Sequence, residues 1–294
     1  MFKRFNPQGL IDRAQHLLQN AHAPFSQYRA VAVIRLDDGQ VFCGVTVDNA
    51  AFVHGYEALE AALGAMIAQS GWAQKAALPV ITDIVFLVDA PSPQLPAPQG
   101  MSVLSLFAAL RARLHLATAT QGLHKTILVA RALQPLGAPV LDRDAFLKLS
   151  AQRLQEPHKI TDPAMAKLLN VRWQAFCPVS EYAVGAVIET TQGNVYYGCN
   201  LELGNNRALH AEGVAIAQMV TAEGPAARIR CVVILTKGKV GFPCGGCRQN
   251  IQEFATPETE VIGYNLDGQM CHALHRDLLP GSFGHEDIDS ARVG

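Results

Sequence analysis

The chain has 294 residues, 49% of them hydrophobic and 17% charged, with a formal net charge of −1. That length allows two domains of ordinary size, and that composition buries cores, which excludes a disordered chain. No run of Lys or Arg is long enough to form a nucleic-acid stripe, and no apolar run approaches the roughly 20 residues that span a bilayer, so neither nucleic acid nor membrane is expected as a partner.

Met1-Phe2-Lys3-Arg4-Phe5-Asn6-Pro7 carries two positive charges without an apolar stretch after them, and is not read as a signal peptide. Gln8 to Asn20 places Leu10, Ile11, Ala14, Leu17 and Leu18 at helical spacing. A Pro-marked loop, Ala23 to Tyr28, follows. Val31–Leu36 and Val41–Val47 read as strands joined by Asp37-Asp38-Gly39, a hairpin signal. Small and apolar residues from about Glu57 to Gln69 predict a helix, and Ile81–Asp89 a strand. The proline-rich Ala90–Gly100 reads as a loop, Ser102–Leu116 as a helix, and Thr126–Ala130 as a short strand. Ile160–Ala175 is again an amphipathic helix, entered through Thr161-Asp162-Pro163.

The second half repeats the first. Pro178-Val179-Ser180-Glu181-Tyr182 echoes Pro24-Phe25-Ser26-Gln27-Tyr28, and residue 178 stands 154 positions after residue 24. The same offset pairs Val33-Ile34 with Val187-Ile188, Gly39 with Gly193, Val41 with Val195 and Gly44 with Gly198. Two copies of one domain are expected, divided near the polar stretch Gln155–Lys159 into residues 1–155 and 156–294. The element order predicts a layered α/β domain with a mixed sheet: a hairpin first, then strands alternating with helices and therefore parallel.

The chemistry is concentrated in the second copy. His210-Ala211-Glu212 is followed about thirty residues later by Pro243-Cys244-Gly245-Gly246-Cys247. One imidazole and two thiols form a three-ligand set suited to zinc, with the fourth position left for water as in catalytic sites. His210 is expected to open one helix, and Cys244 with Cys247 another. A helix N-terminus carries partial positive charge and lowers thiol pKa, favouring the thiolates that zinc requires. His210 and Glu212 diverge by about 200° on a regular helix, so both approach a metal only if it sits off the helix end. Glu212 is then placed to move protons. A structural zinc knot would need a fourth ligand, for which Cys231, Cys271 and His272 are candidates without motif-like spacing; simple buried thiols are the third reading. The seven cysteines, odd in number and holding one Cys-x-x-Cys, point to a reducing compartment, taken as the cytoplasm. His272, His275 and His285 are expected on polar faces.

These residues resemble the signature of the cytidine deaminase family, His-x-Glu followed by Pro-Cys-x-x-Cys. Length and duplication resemble the long, homodimeric bacterial form. The resemblance implies a three-layer α/β/α fold, a homodimer, and one Zn²⁺ per chain in the second copy. It implies zinc ligands His210, Cys244 and Cys247, with Glu212 as the proton shuttle in hydrolytic deamination of cytidine and deoxycytidine. Asn200 and Glu202 match an Asn-x-Glu that holds the ribose, and Tyr182 an aromatic near the base. Backbone groups of Ala211 and Cys244 orient the base. Phe283, within Leu279–Gly284, packs on the base from the neighbouring subunit. Arg248 is positioned to brace a thiolate or to be a solvated helix charge. Phe242 stands where the family carries a small hydroxyl residue.

The first copy departs from this pattern. Asp48-Asn49-Ala50-Ala51-Phe52 resembles the family's strand-to-helix loop, but Tyr56-Glu57-Ala58-Leu59 offers no His or Cys ligand and no shuttle Glu. Pro98–Ser102 has Gln99 and Ser102 in the places of the cysteines. The first copy is thus expected to be degenerate and structural, completing the dimer and the active-site wall of the catalytic second copy. A non-catalytic zinc-bearing nucleoside binder, and a deaminase of polynucleotides or of another aminated heterocycle, remain open alternatives.

Overall fold

A computed structural model of the chain describes residues 7–71, 73, 80–89, 114–120, 125–137, 151–153, 155–204 and 207–292. The first copy comprises α1 (Gln8–Leu17), β1 (Arg29–Leu36), β2 (Val41–Val45), α2 (Ala58–Gln69), β3 (Val80–Asp89), β4 (Leu114–Thr120) and β5 (Lys125–Gly137). The second opens with α3 (Pro163–Trp173), β6 (Gly185–Thr190), β7 (Val195–Cys199), β8 (Leu201–Gly204) and β9 (Arg207–Leu209). It continues with α4 (Ala211–Glu223), β10 (Ile229–Thr236), α5 (Gly245–Gln252), β11 (Ala255–Asn265), β12 (Met270–Leu274), α6 (His275–Leu278) and α7 (His285–Arg292).

Two five-stranded sheets result, ordered β2-β1-β3-β5-β4 and β12-β11-β10-β6-β7. The predicted hairpin forms, with Val31 opposite Val45 and Arg35 opposite Val41. The repeat is visible in the backbone as well. Gln27 and Glu181, 154 positions apart, both take the left-handed conformation at φ 53° and 54°.

The second sheet is mixed, as expected: β10 runs parallel to β11 and antiparallel to β6. The first sheet corrects the expectation of parallel later strands. Every described pairing in it, including β3 with β5 and β4 with β5, is antiparallel. The helix expected over 102–116 is corrected at its end, because residues 114–116 already belong to β4; the remainder, with Gln99, Ser102 and the loop of residues 90–100, lies outside the described residues. The short strand expected at 126–130 extends over 125–137. Leu-His-Leu-Ala-Thr-Ala-Thr has no strong preference of its own, and pairing with β5 decides it.

α2 and α4 are apolar nearly all round and are buried nearly all round. They pack against each other between the two sheets, with Gly64 against Val214. α1 covers the outer face of the first sheet and α3 that of the second, giving each copy its α/β/α layers. Small residues let these layers approach. A Cβ on Gly198 of β7 would lie 2.1 Å from the Ala211 carbonyl oxygen, and one on Gly44 of β2 would lie 2.2 Å from the Ala62 nitrogen. The first turn of α4 is therefore seated directly on β7.

One apolar core runs through both copies. Polar contacts reinforce the join: Asn20 Nδ2 donates to the Thr221 carbonyl (2.8 Å), and the Val45 N–H to Thr221 Oγ1 (3.3 Å). The polar stretch between the copies is anchored, since Glu156 pairs with the buried Arg172 (2.7 Å) and with Lys237 (3.1 Å). Among the described residues no helix is long and apolar enough to cross a membrane.

Candidate metal centre

His210 is the N-cap of α4 and Cys244 the N-cap of α5, both in extended backbone conformation. Neither side chain is used to cap its helix, so both project off the helix ends. Cys247 lies in the first turn of α5. His210 Nδ1 is 3.6 Å from Cys244 Sγ and 3.3 Å from Cys247 Sγ, and the three candidate ligand atoms lie within 4.8 Å of one another. Zinc bonds of about 2.0 Å to nitrogen and 2.3 Å to sulfur at tetrahedral angles place N and S about 3.5 Å apart. The three side chains therefore fit a tetrahedral zinc with one position left over.

The electrostatics agree with the geometry. Cys244 is drawn down to about 3 by hydrogen bonds from Cys247 and then His210. Cys247 is pushed up, first by its hydrogen bond with Cys244 and then by burial. His210 is raised by its hydrogen bond with Cys244. Two crowded sulfurs share one negative charge, and a dication lets both ionise. Glu212 is only 4% exposed, and burial pushes its carboxyl up. A buried carboxyl whose protonated form is favoured by burial, in the first turn of the helix that His210 opens, is suited to exchange protons.

Residues of the first copy close the site. A cavity of about 180 Å³ beside the cluster is lined by Val53, His54, Gly55, Tyr56, Ala208, Leu209, His210, Cys244, Gly246, Cys247 and Asn250. His54 lies against Gly246, and the Tyr56 ring lies against Gly213. The Tyr56 phenol is buried next to Cys247 and Glu212, bonded to the His210 backbone; burial, then these charges, push its pKa up and keep it protonated. The loop carrying these residues docks on α5: Asn49 Nδ2 donates to the Gln249 carbonyl (3.2 Å), and the Ala50 N–H to Glu253 Oε2 (3.2 Å). Sequence reasoning expected a wall from the first copy and placed neither His54 nor Tyr56 in it. The sole signal was the family-like Asp48–Phe52 just upstream.

Among the described residues, the repeat shows what the first copy has in place of the His210 ligand. α2 meets β2 at Gly44 as α4 meets β7 at Gly198. The N-cap of α2 is Glu57, where α4 has His210. Leu59 then stands where α4 has Glu212.

Of the other predicted site residues, Asn200, Glu202 and Tyr182 fall around a separate loop. Asn200 Oδ1 accepts the Val184 N–H (2.8 Å), and its Nδ2 donates to the Tyr182 carbonyl (2.9 Å). Glu202 accepts the N–H groups of Val179 (2.7 Å) and Ser180 (3.2 Å). Both thus hold the loop that presents Tyr182, which is 48% exposed. Phe283 is 46% exposed, and its carbonyl accepts Gln249 Nε2 (2.8 Å). None of these four lines the cavity. Ala211 does not line it either; it is buried in the first turn of α4.

Two expectations are corrected. Arg248 neither braces a thiolate nor lies free. It donates to the carbonyls of Pro243 (2.8 Å) and Leu278 (3.0 Å), tying the cysteine loop to α6. His275 is not on a polar face but 1% exposed, with Nε2 against Gln252 Oε1 (3.1 Å), because α6 packs on α5 and β11.

Known proteins share this pattern. Residues 159–263 match a family described as the cytidine and deoxycytidylate deaminase zinc-binding region, and residues 3–90 match a second family of the same description. A cytidine deaminase of Sporosarcina psychrophila is 35% identical over 128 residues, covering 43% of this chain and 93% of that protein. This chain is a member of the cytidine deaminase family. A cytidine deaminase of Mycoplasma pneumoniae is 35% identical over 119 residues, 40% of this chain and 89% of that protein. The crystal structure of a cytidine deaminase from Burkholderia pseudomallei aligns with 42% of this chain and 100% of its own, at 29% identity and TM-score 0.39. The deaminase described here is thus a zinc-dependent enzyme of tandem α/β construction, with its zinc in the C-terminal copy.

Proposed function

We propose that this deaminase hydrolyses cytidine and deoxycytidine to uridine and deoxyuridine, with the chemistry in residues 156–294 and residues 1–155 as a non-catalytic partner domain. The observation that carries the reading is the buried Glu212 beside the His210, Cys244 and Cys247 cluster.

His210, Cys244 and Cys247 would hold one zinc ion. Bound there, zinc supplies Lewis acidity that brings the pKa of water to about 7. Glu212 accepts the proton released as water adds to ring carbon 4 and passes it to ring nitrogen 3. The proton of the new carbon-4 hydroxyl, passed through Glu212, converts the departing amine to ammonia as the carbon–nitrogen bond breaks and the carbonyl forms. Backbone groups of Ala211 and Cys244 orient the base. Asn200 and Glu202 recognise the ribose and keep Tyr182 beside it. Phe283 serves the neighbouring subunit of a homodimer. Seven free cysteines support a reducing, cytoplasmic setting.

Turnover of cytidine, deoxycytidine, cytosine and dCMP, measured as ammonia release with metal counted in parallel, tests the proposal. Release from the two nucleosides is expected. Binding of nucleoside to zinc-loaded protein without ammonia release would overturn it in favour of a binding protein.

A further inference from the structure

Away from the deaminase centre, a second group of metal-type side chains lies where the two copies meet: His22, Glu253 and His285. His22 Nε2 is 3.1 Å and His285 Nε2 3.3 Å from the same carboxylate oxygen, Glu253 Oε1, and all three ligand atoms lie within 4.8 Å of one another. We propose that these residues form a second divalent-cation site, of two-histidine, one-carboxylate type, that clasps the first copy to the C-terminal segment of the second.

The surroundings hold each donor in place. His22 is held in the backbone by bonds with Thr46 and Asp48, and its ring packs on Phe254 at 5.0 Å. The Glu253 side chain is 2% exposed and is oriented by the Ala50 N–H on Oε2, which leaves Oε1 for the imidazoles. Phe25 lies 4.5 Å from the His285 ring, centroid to centroid. The donors therefore come from three separate segments and are oriented without a metal, as outer contacts orient a ligand set.

Metal bonds of about 2.1 Å meeting at 90–109° bring N and O to about 3.0–3.4 Å. The observed separations fall in that range. Two imidazoles and a carboxylate suit Zn²⁺, Co²⁺, Ni²⁺ or Fe²⁺, whereas the His210 centre, with two thiolates, is softer. His285 is 42% exposed, so the open side of the site faces solvent and its remaining positions take water. The site is thus expected to bind more weakly than the deaminase centre and to fill after it. Its occupation would pin residues 281–285, and Phe283 with them, to the first copy.

The experiment adds Co²⁺ to protein already carrying its tightly bound zinc. One further equivalent is expected, with the weak visible bands of N and O ligands and no thiolate-to-cobalt charge transfer. H285A, at an exposed position that folding tolerates, and E253Q should each weaken it at least about 10-fold while keeping the first zinc. The double variant Cys244→Ser, Cys247→Ser should still take it up, which separates this site from the deaminase centre. Protection of the C-terminal segment from proteolysis should rise with the second equivalent in the parent and not in H285A. Failure to take up a further equivalent, or uptake undiminished in H285A, would show a hydrogen-bonded clasp only and overturn the proposal.

Discussion

Gly213→Ala tests the claim that the first copy is built into the site of the second. A Cβ at Gly213 would lie 1.8 Å from Tyr56 Oη and 2.2 Å from its Cζ, so about 1.2 Å must open before the contact reaches even 3.0 Å. Tyr56 cannot simply retreat. Its backbone is paired with Val47 in both directions (2.8 and 2.9 Å), and the residue is buried. Overpacking of this kind costs about 1–3 kcal/mol, offset by about 1 kcal/mol of helix propensity gained over glycine. A net loss of up to about 2 kcal/mol is expected in urea unfolding. Activity should suffer more than stability. The opening shifts the first turn of α4, which carries His210 and Glu212, and a misplacement near 1 Å costs on the order of 10²-fold in rate. Adding Tyr56→Ala should relieve the clash, and a double-mutant cycle should show coupling of at least about 1 kcal/mol. If Gly213→Ala is as stable and active as the parent, or if Tyr56→Ala gives no relief, the phenol does not lie against α4 and the reasoning fails.

Glu212→Gln should retain zinc and lose about 10²–10⁴-fold in kcat, followed by ultraviolet absorbance; near-normal turnover would remove Glu212 from the chemistry. Cys244→Ser should lose zinc on dialysis, where the parent keeps it, and lose deamination with it. His275 predicts an acid limb in stability. Burial, then the Arg248 charge, holds its imidazole down at about 4, against about 6.5 in the unfolded chain. Protonation therefore favours unfolding. Its contribution is complete above about pH 6.5 and is lost as pH falls toward 4, approaching about 3 kcal/mol. The difference in urea stability between the parent and His275→Gln should change over that window, and a flat difference would show that His275 does not titrate as inferred.

The hairpin of β1 and β2 was legible because alternation and a Gly-containing turn act within a dozen residues. α2 and α4 were legible from runs of small and apolar residues, and the repeat from its constant register. The strand character of residues 114–120 was not, because Leu and Ala suit either state and a partner strand chose. His275 and Arg248 went astray for a related reason. Packing of α6 on α5 buries one and gives the other the Leu278 carbonyl, and local spacing carries no record of either contact.

The motif His210-Ala211-Glu212 with Cys244 and Cys247 was complete in the sequence, since ligand type and spacing encode a zinc set by themselves. What closes around it depended on the tertiary structure. His54 and Tyr56 reach the cavity because α2 and α4 pack together and the loop at Asn49–Ala50 docks on α5, some two hundred residues away along the chain. Such contacts follow from burying two apolar helices between two sheets. A linear pattern records which residues are apolar, and only the packing decides which of them meet.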